Sequence, residues 1–131
     1  MKYLIDTHIL LWSLTDPDKL ASNIQQTLLN ENNDIFLSQI SIWEISLKSS
    51  IGKLVLKGMT IEQIELAIQT SYLKIHQLTN EEVFSFSKLP KTQHKDPFYR
   101  MLICQAITND YTFITVDRQI NQAEYSGLKV L

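Results

Sequence analysis

The sequence has little cysteine, glycine and proline: its 131 residues include one Cys, three Gly and three Pro. The single cysteine, Cys104, excludes an internal disulfide and fits a reducing compartment. Because Cys104 lies within an apolar helical stretch, an inert buried thiol is favoured over a nucleophile. Internal repeats, low-complexity tracts and linker-like segments are also missing. We therefore expect residues 1–131 to form one domain.

Long hydrophobic runs and an excess of positive charge are missing as well. The apolar N-terminal run is short and is interrupted by Asp6, so we expect no signal peptide, no membrane contact and a cytoplasmic location. The formal net charge is -2, which gives the whole molecule no attraction to nucleic acid. Any contact with nucleic acid must therefore come from a local basic patch.

Short apolar runs alternate with helical patterns along the chain. Strands are predicted at residues 3–5, 35–37, 72–78 and 112–116, with a possible last strand at 129–131. Helices are predicted after Thr7, around 20–28, over 38–50, after the capping boxes that begin at Thr60 and Thr79, and over 98–109. A helical turn is predicted at 117–122 and an extended segment at 54–56. Strands separated by helices imply an α/β fold with a parallel sheet covered on both faces.

Three acids occupy comparable places at the ends of these elements. Asp6 follows the first strand, Glu44 lies in the first turns of the helix after the second strand, and Asp117 ends the fourth strand. The carboxyl ends of parallel strands meet at one edge of a sheet, so we expect these carboxylates to converge. Asp96 opens a further helix and is a fourth candidate. Carboxylates without a Cys or His cluster suit Mg²⁺ or Mn²⁺ rather than zinc.

Each acid also has a purely structural alternative. Asp6 is placed to cap the first helix, Asp96 precedes Pro97 as a ready N-cap, and Asp117 could cap the turn after it. The run from Ser41 to Glu44 satisfies the capping-box pattern, so Glu44 could bond only the helix start. The spacing of the acids alone does not decide between a metal site and helix capping.

Four segments together resemble the successive motifs of the PIN-domain family, namely YLIDTHILLW, LSQISIWEISLKSSIGKL, HKDPFYRMLICQA and TFITVD. More narrowly, they are similar to VapC-type toxin ribonucleases of bacterial type II toxin–antitoxin systems, and the likeness runs from Lys2 to Leu131. The resemblance implies a three-layer α/β/α sandwich with a central parallel sheet. It also implies RNA cleavage with Mg²⁺ or Mn²⁺, a homodimer, and a cognate antitoxin protein as partner.

Carried over by motif, the resemblance makes Asp6, Glu44 and Asp117 the metal ligands. The family's usual run DPFDR reads DPFYR here, so Tyr99 occupies the position of a further site acid. A phenol with a pKa near 10 is a poor Mg²⁺ ligand at neutral pH. The chain is then impaired or inactivated, or Asp96 substitutes for the missing carboxylate. The alternatives are a PIN domain without nuclease activity that binds its antitoxin or RNA, and a nuclease for DNA or a phosphatase.

Basic, histidine and tryptophan side chains near these motifs are weaker candidates. Candidate contacts for RNA phosphates, with ordinary surface charge as the alternative, are Lys48, Lys53, Lys95, Arg100 and Arg118. His8 and His94 flank acids and are possible bases, whereas His76 within a strand is expected to be structural. Trp12 and Trp43 fall on apolar helix faces, where packing in the core or at an interface is favoured over base stacking.

Overall fold

The computed structural model describes residues 1–54 and 56–131, so Val55 of the predicted segment 54–56 lies outside the described residues. The strands are β1 (Lys2–Ile5), β2 (Asp34–Ser38), β3 (Lys74–His76), β4 (Thr112–Ile114) and β5 (Lys129–Val130). The helices are α1 (Thr7–Thr15), α2 (Ser22–Leu29), α3 (Gln39–Ser50), α4 (Ile61–Gln69), α5 (Asn80–Ser85) and α6 (Pro97–Thr108). In the described ranges, no helix has the length and apolar character needed to cross a membrane.

The five strands form one parallel sheet in the order β3-β2-β1-β4-β5. β1 is central, and Tyr3 stands opposite Ile35 of β2 on one side and Thr112 of β4 on the other. The chain leaves β1 toward neighbours on both sides, which creates the crevice where open α/β sheets bind ligands. This arrangement confirms the predicted parallel sheet.

Both faces of the sheet are covered, because successive side chains of β1 point to opposite sides. Tyr3 and Ile5 belong to one apolar core, which also contains Ile9 of α1 and Ile64 of α4. Leu4 belongs to the other core, where side chains of α6 and the Tyr125 ring pack. A helix layer therefore lies on each face, as a three-layer α/β/α sandwich requires.

Local signals located most of the helix starts correctly. Thr60 and Thr79 each form the complete capping box that their sequences predict, and Pro97 stands at the first position of α6. The N-cap of α1 is Asp6, because the Asp6 carboxylate accepts the Ile9 N–H. The predicted helix start and the capping role considered for Asp6 are thus confirmed.

Three predicted elements differ in the structure. β4 ends at Ile114 instead of 116, because the Thr115 hydroxyl and the Val116 N–H bond the Asp6 carboxylate. β3 covers only residues Lys74–His76 of the predicted 72–78, because it is an edge strand that pairs with β2 at three positions. The helical turn predicted at 117–122 does not form. The Asp117 carboxylate instead accepts the Gln119 N–H in a tight turn, and a single 3₁₀ turn follows at Gln122–Glu124.

Candidate active site

A cavity of about 400 Å³ opens at the carboxyl edge of the sheet. Side chains that line it include Asp6, Glu44, Asp96, Tyr99 and Asp117. They come from the end of β1, from α3, from the start of α6 and from the loop after β4. The structure therefore brings all the acids singled out by the sequence to one cavity, together with the tyrosine.

Asp6 is held where β1 turns into α1, and its side chain is 3% exposed. One carboxylate oxygen, Oδ1, accepts the Ile9 N–H at 2.9 Å. The other, Oδ2, accepts the Thr115 hydroxyl at 2.6 Å and the Val116 N–H at 3.3 Å. Burial raises the pKa of Asp6 despite these donors, because desolvation disfavours its charge. Asp6 therefore both caps a helix and holds a buried, incompletely compensated carboxylate in the cavity.

Glu44 lies in the second turn of α3 and is 5% exposed. Its Oε1 accepts the Thr7 hydroxyl at 2.6 Å, and its Oε2 pairs with the Lys48 ammonium at 2.5 Å. The capping-box alternative for Glu44 is wrong, because Ser38 caps α3 and bonds the Ile40 N–H. Glu44 instead joins α3 to the start of α1 and faces the cavity.

Asp117 lies on the loop after β4, and Asp96 lies at the start of α6. The Oδ2 of Asp117 lies 2.6 Å from Nε2 of His94, whose Nδ1 lies 3.3 Å from the Tyr125 hydroxyl. The sequence named His94 as a possible base, and the structure pairs it with an acid of the site. The Asp96 carboxylate accepts the Phe98 N–H at 3.0 Å, so its predicted role as the N-cap of α6 is confirmed.

Tyr99 lies in the cavity wall between two of the acids. Its hydroxyl is 3.3 Å from the Thr115 Oγ1. Since Thr115 gives its own proton to Asp6, the Tyr99 hydroxyl donates to Thr115. Burial raises the pKa of Tyr99 well above its ordinary value, and the nearby charges of Asp117 and Asp6 raise it further. The phenol is therefore neutral at physiological pH and is no substitute for a carboxylate ligand.

Thr7 and Thr115 belong to the site, although the sequence predicted no role there for either residue. Each hydroxyl donates a 2.6 Å hydrogen bond to a buried carboxylate, Thr7 to Glu44 and Thr115 to Asp6. Thr7 directly follows Asp6 in the run DTH, and Thr115 stands two residues before Asp117 in the run TVD. Nearness in sequence was the available signal, but the pairings join residues from distant parts of the chain.

The chemical type of these side chains suits a hard cation. Buried carboxylates share one cavity, and the charge of Asp6 is incompletely compensated. The spacing is less suitable. Within residues 1–54 and 56–131, no three His, Cys, Asp or Glu side chains stand close enough to hold one metal ion. Instead, Glu44 is paired with Lys48 and Asp117 with His94. An ion shared by these acids would have to draw them away from their protein partners.

The basic candidates occupy different surroundings. Lys95 is exposed and lines the cavity, whereas Lys48 is engaged by Glu44. The Arg100 guanidinium donates to the carbonyl oxygens of His94 and Pro90 and so fixes the connector before α6. Lys53 and Arg118 are exposed, the latter on the turn after Asp117. Lys95 is thus the basic candidate that this geometry leaves directed to the cavity.

The remaining histidine and tryptophan candidates are divided between the cavity and the interior. His8 is exposed and lines the cavity. His76 is structural as predicted, because its Nε2 lies 2.6 Å from the buried Glu82 carboxylate. Trp12 packs against the core. Trp43 is 58% exposed, so it does not pack in the core, and the alternative of packing at an interface stays a prediction.

A family model of the PIN domain matches residues 3–125 of the sequence, and the chain therefore belongs to the PIN-domain family. PIN domains generally use divalent metal ions. No curated protein matches the sequence significantly.

Two solved structures share the fold. One is a chain of VapBC2 from Rickettsia felis bound to a DNA fragment from their promoter, with a TM-score of 0.73, 21% identity, and coverage of 100% of this chain and 98% of that one. The other is a chain of VapBC-1 from nontypeable Haemophilus influenzae, with a TM-score of 0.66, 19% identity, and coverage of 100% and 97%. The expected α/β/α fold with a central parallel sheet is confirmed by these likenesses and by the observed topology.

Proposed function

We propose that this chain is a VapC-type toxin, a metal-dependent endoribonuclease that hydrolyses RNA phosphodiester bonds. The observation that carries the proposal is the single cavity lined by Asp6, Glu44 and Asp117, which come from three separate parts of the chain. Membership of the PIN-domain family supports nuclease chemistry at this cavity. The two VapBC complexes that share the fold support the toxin assignment.

In this proposal Asp6, Glu44 and Asp117 hold Mg²⁺ or Mn²⁺. When bound, such an ion neutralises charge on the scissile phosphate and lowers the pKa of a water molecule. The chain's own contribution is to place the acids. Thr115 orients Asp6, and Thr7 orients Glu44, each through a 2.6 Å hydrogen bond. Lys95 at the cavity lining is placed to meet a phosphate of the RNA backbone.

The second candidate is a PIN domain without nuclease activity that binds its antitoxin or RNA. Tyr99 is the observation that favours it. A neutral phenol in the wall adds no negative charge to a cavity whose acids are already paired with Lys48, His94 and Thr115. A hard cation is then held more weakly than by a site with one more carboxylate.

Cleavage of a labelled single-stranded RNA separates these functions. The unaltered chain is incubated with Mg²⁺ or Mn²⁺ and with a chelator, and duplex DNA and a phosphomonoester serve as alternative substrates. Asp6→Asn removes a site charge but retains a side chain that caps helices well, and Asp18→Asn on the surface is the matched control. We expect metal-dependent RNA cleavage that Asp6→Asn abolishes and Asp18→Asn leaves intact.

Tyr99→Asp distinguishes an impaired enzyme from a binding module. The substitution adds a carboxylate on the first turn of α6, beside the cavity. If the cavity is catalytic, the variant should cleave RNA on the order of a hundredfold faster, since metal positioning contributes several kcal/mol to such chemistry. Equal activity of the two forms would mean that Asp96 or another group already completes the site. Inactivity of both would support the non-catalytic binding role.

The proposed partners are RNA, a cognate antitoxin protein and a second copy of the chain. A cavity of about 270 Å³ between α1, α2 and α4 is lined mainly by apolar side chains, which supports docking of an amphipathic antitoxin segment. Leu66, Ile75 and Phe84 are 59%, 43% and 77% exposed, so apolar side chains of α4, β3 and α5 are available to a second copy of the chain. Light scattering should report a dimer at micromolar concentration, and a strictly monomeric chain would contradict this part of the proposal. A cytoplasmic location follows from the same function.

A further inference from the structure

A third cavity, of about 310 Å³, is lined only by apolar side chains. Ile40 and Trp43 of α3 form one side of it, and Pro97, Phe98 and Met101 of α6 form another. Its volume is at the lower end of the range for small-ligand pockets. A pocket of this kind suits a planar, largely apolar group rather than an ion.

The acidic cavity and this apolar cavity share α3 and α6 as a common wall. On α3, Glu44 lines the acidic cavity and its neighbour Trp43 lines the apolar one. On α6, Tyr99 lines the acidic cavity and Phe98 lines the apolar one. Adjacent residues of each helix therefore line different cavities, and the two cavities are neighbours.

Lys48 lies close to one lining residue of each cavity. Its Nζ is 2.5 Å from the Glu44 carboxylate and 5.8 Å from the centre of the Phe98 ring. The Lys48 ammonium thus contacts Glu44 of the acidic cavity and lies over the ring of Phe98, which lines the apolar cavity. Since Lys48 is engaged by Glu44, the cation available to a phosphate of the ligand is Lys95, which lines the acidic cavity.

Trp43 and Phe98 form an aromatic pair at the mouth of the apolar cavity. Their ring centres are 5.0 Å apart and their planes make an angle of 65°. This edge-on contact orients the Trp43 ring, which nevertheless remains 58% exposed. The sequence favoured packing of Trp43 in the core or at an interface. The structure excludes the core, since much of the ring is open and is supported by a second aromatic side chain.

We propose that Trp43 and Phe98 form a stacking shelf for an unpaired base of single-stranded RNA, whose adjoining phosphodiester lies in the acidic cavity. The inference rests on the proposed function, because the ligand is the RNA substrate. Proteins that bind single strands combine cationic backbone contacts with aromatic rings on which bases stack. Bases within a duplex are not free to leave the stack in this way. The shelf therefore gives the site a preference for unpaired RNA.

Equilibrium binding of labelled RNA tests the shelf without requiring catalysis. Fluorescence anisotropy is measured on the full chain with a single-stranded RNA of about ten nucleotides and with an abasic strand of equal charge. A chelator prevents cleavage. The variants are Trp43→Ala, Trp43→Phe and Leu47→Ala, the last being the matched control because Leu47 is 38% exposed one turn along α3. Circular dichroism checks that each variant is folded.

Stacking on one aromatic side chain corresponds to a change in affinity of roughly fivefold to a hundredfold. We expect Trp43→Ala to weaken RNA binding by about tenfold or more, within that range. Trp43→Phe should retain most of the affinity, and Leu47→Ala should retain all of it. The abasic strand should bind the unaltered chain and Trp43→Ala equally, because it offers no base to stack.

Three results would overturn the shelf, and they separate it from the proposed function. Metal-dependent cleavage by the unaltered chain together with equal RNA binding by Trp43→Ala would refute the shelf alone. Neither RNA binding nor cleavage by the unaltered chain would refute both. Weakened binding by both Trp43→Ala and Leu47→Ala, with loss of a dimer in light scattering, would assign this surface to a second copy of the chain.

Discussion

Glu82→Gln is expected to destabilise the protein strongly, although the residue lies outside the acidic cavity. Glu82 is fully buried, and its carboxylate accepts four hydrogen bonds. The donors are His76 at 2.6 Å, Asn109 at 2.8 Å, Gln105 at 3.0 Å and the Thr79 N–H at 3.1 Å. This network ties β3 and α5 to α6.

The size of the effect follows from what glutamine can still accept. In glutamine, one amide oxygen replaces the two carboxylate oxygens. The amide N–H₂ group then faces the donors of Asn109 or His76, which it cannot accept. Leaving buried donors unpaired costs about 1–3 kcal/mol each, and breaking a buried charged network costs about 3–5 kcal/mol. We therefore expect Glu82→Gln to lower the free energy of unfolding by about 2–4 kcal/mol.

Urea denaturation followed by circular dichroism measures this loss. Glu81→Gln is the matched control, since Glu81 is exposed on the same turn and should change stability little. A Glu82→Gln variant as stable as the control would refute the reasoning that the buried carboxylate organises the network.

Further expected outcomes concern pH, a hydroxyl and a lysine. Burial alone would raise the pKa of Glu82, but hydrogen bonds from Asn109, His76 and Gln105 outweigh it and lower that pKa. The stability that Glu82 contributes is therefore complete above about pH 4.3 and declines as the pH falls through the lowered pKa. In a pH series of urea midpoints, Glu82→Gln should lose this decline. Thr115→Val removes the donor to Asp6 and should lower the unfolding free energy by about 1–3 kcal/mol in the same urea assay. Lys48→Met removes the charged partner of Glu44 and should lower the melting temperature, by an amount that reflects about 1 kcal/mol because Lys48 is partly exposed. Lys53→Met, at an exposed lysine, should leave the melting temperature unchanged.

Much of the fold could be predicted because its signals are local. The capping boxes at Thr60 and Thr79 and the helix start at Pro97 depend on residues within one turn of each other, and all three are confirmed. The order of the strands could not be read from the chain alone. It determines which loops meet, and it therefore brings Thr115 to Asp6 across 109 positions of sequence.

The sequence predicted which acids form the candidate site, but it did not predict the residues that pair with them. Asp6, Glu44 and Asp117 do line one cavity, because each follows the carboxyl end of a strand of the same parallel sheet. The partners of these acids come from tertiary packing, as with the pairing of His94 and Asp117. The pairing of Lys48 with Glu44 has i,i+4 spacing on one helix, a signal that was available in the sequence.

The spacing of apolar residues predicted the exposure of individual side chains less well than it predicted the helices. Trp43 follows the apolar pattern of α3 and yet is 58% exposed, because the apolar side of this helix is wider than the part that the core covers. Trp12 follows a similar pattern on α1 and does pack against the core. A helical pattern identifies an apolar face, but the neighbouring elements decide whether that face is covered.

Calorimetric titration of the chain with Mn²⁺ tests most directly the claim that the acidic cavity is a cation site. The unaltered chain should bind Mn²⁺ weakly, because Tyr99 adds no charge to the wall and the acids must leave their protein partners. Asp6→Asn should reduce this binding further, while Asp18→Asn on the surface should leave it unchanged. Mn²⁺ binding that is equally strong in the unaltered chain and in Asp6→Asn would contradict the assignment of Asp6 as a ligand and, with it, the proposed centre.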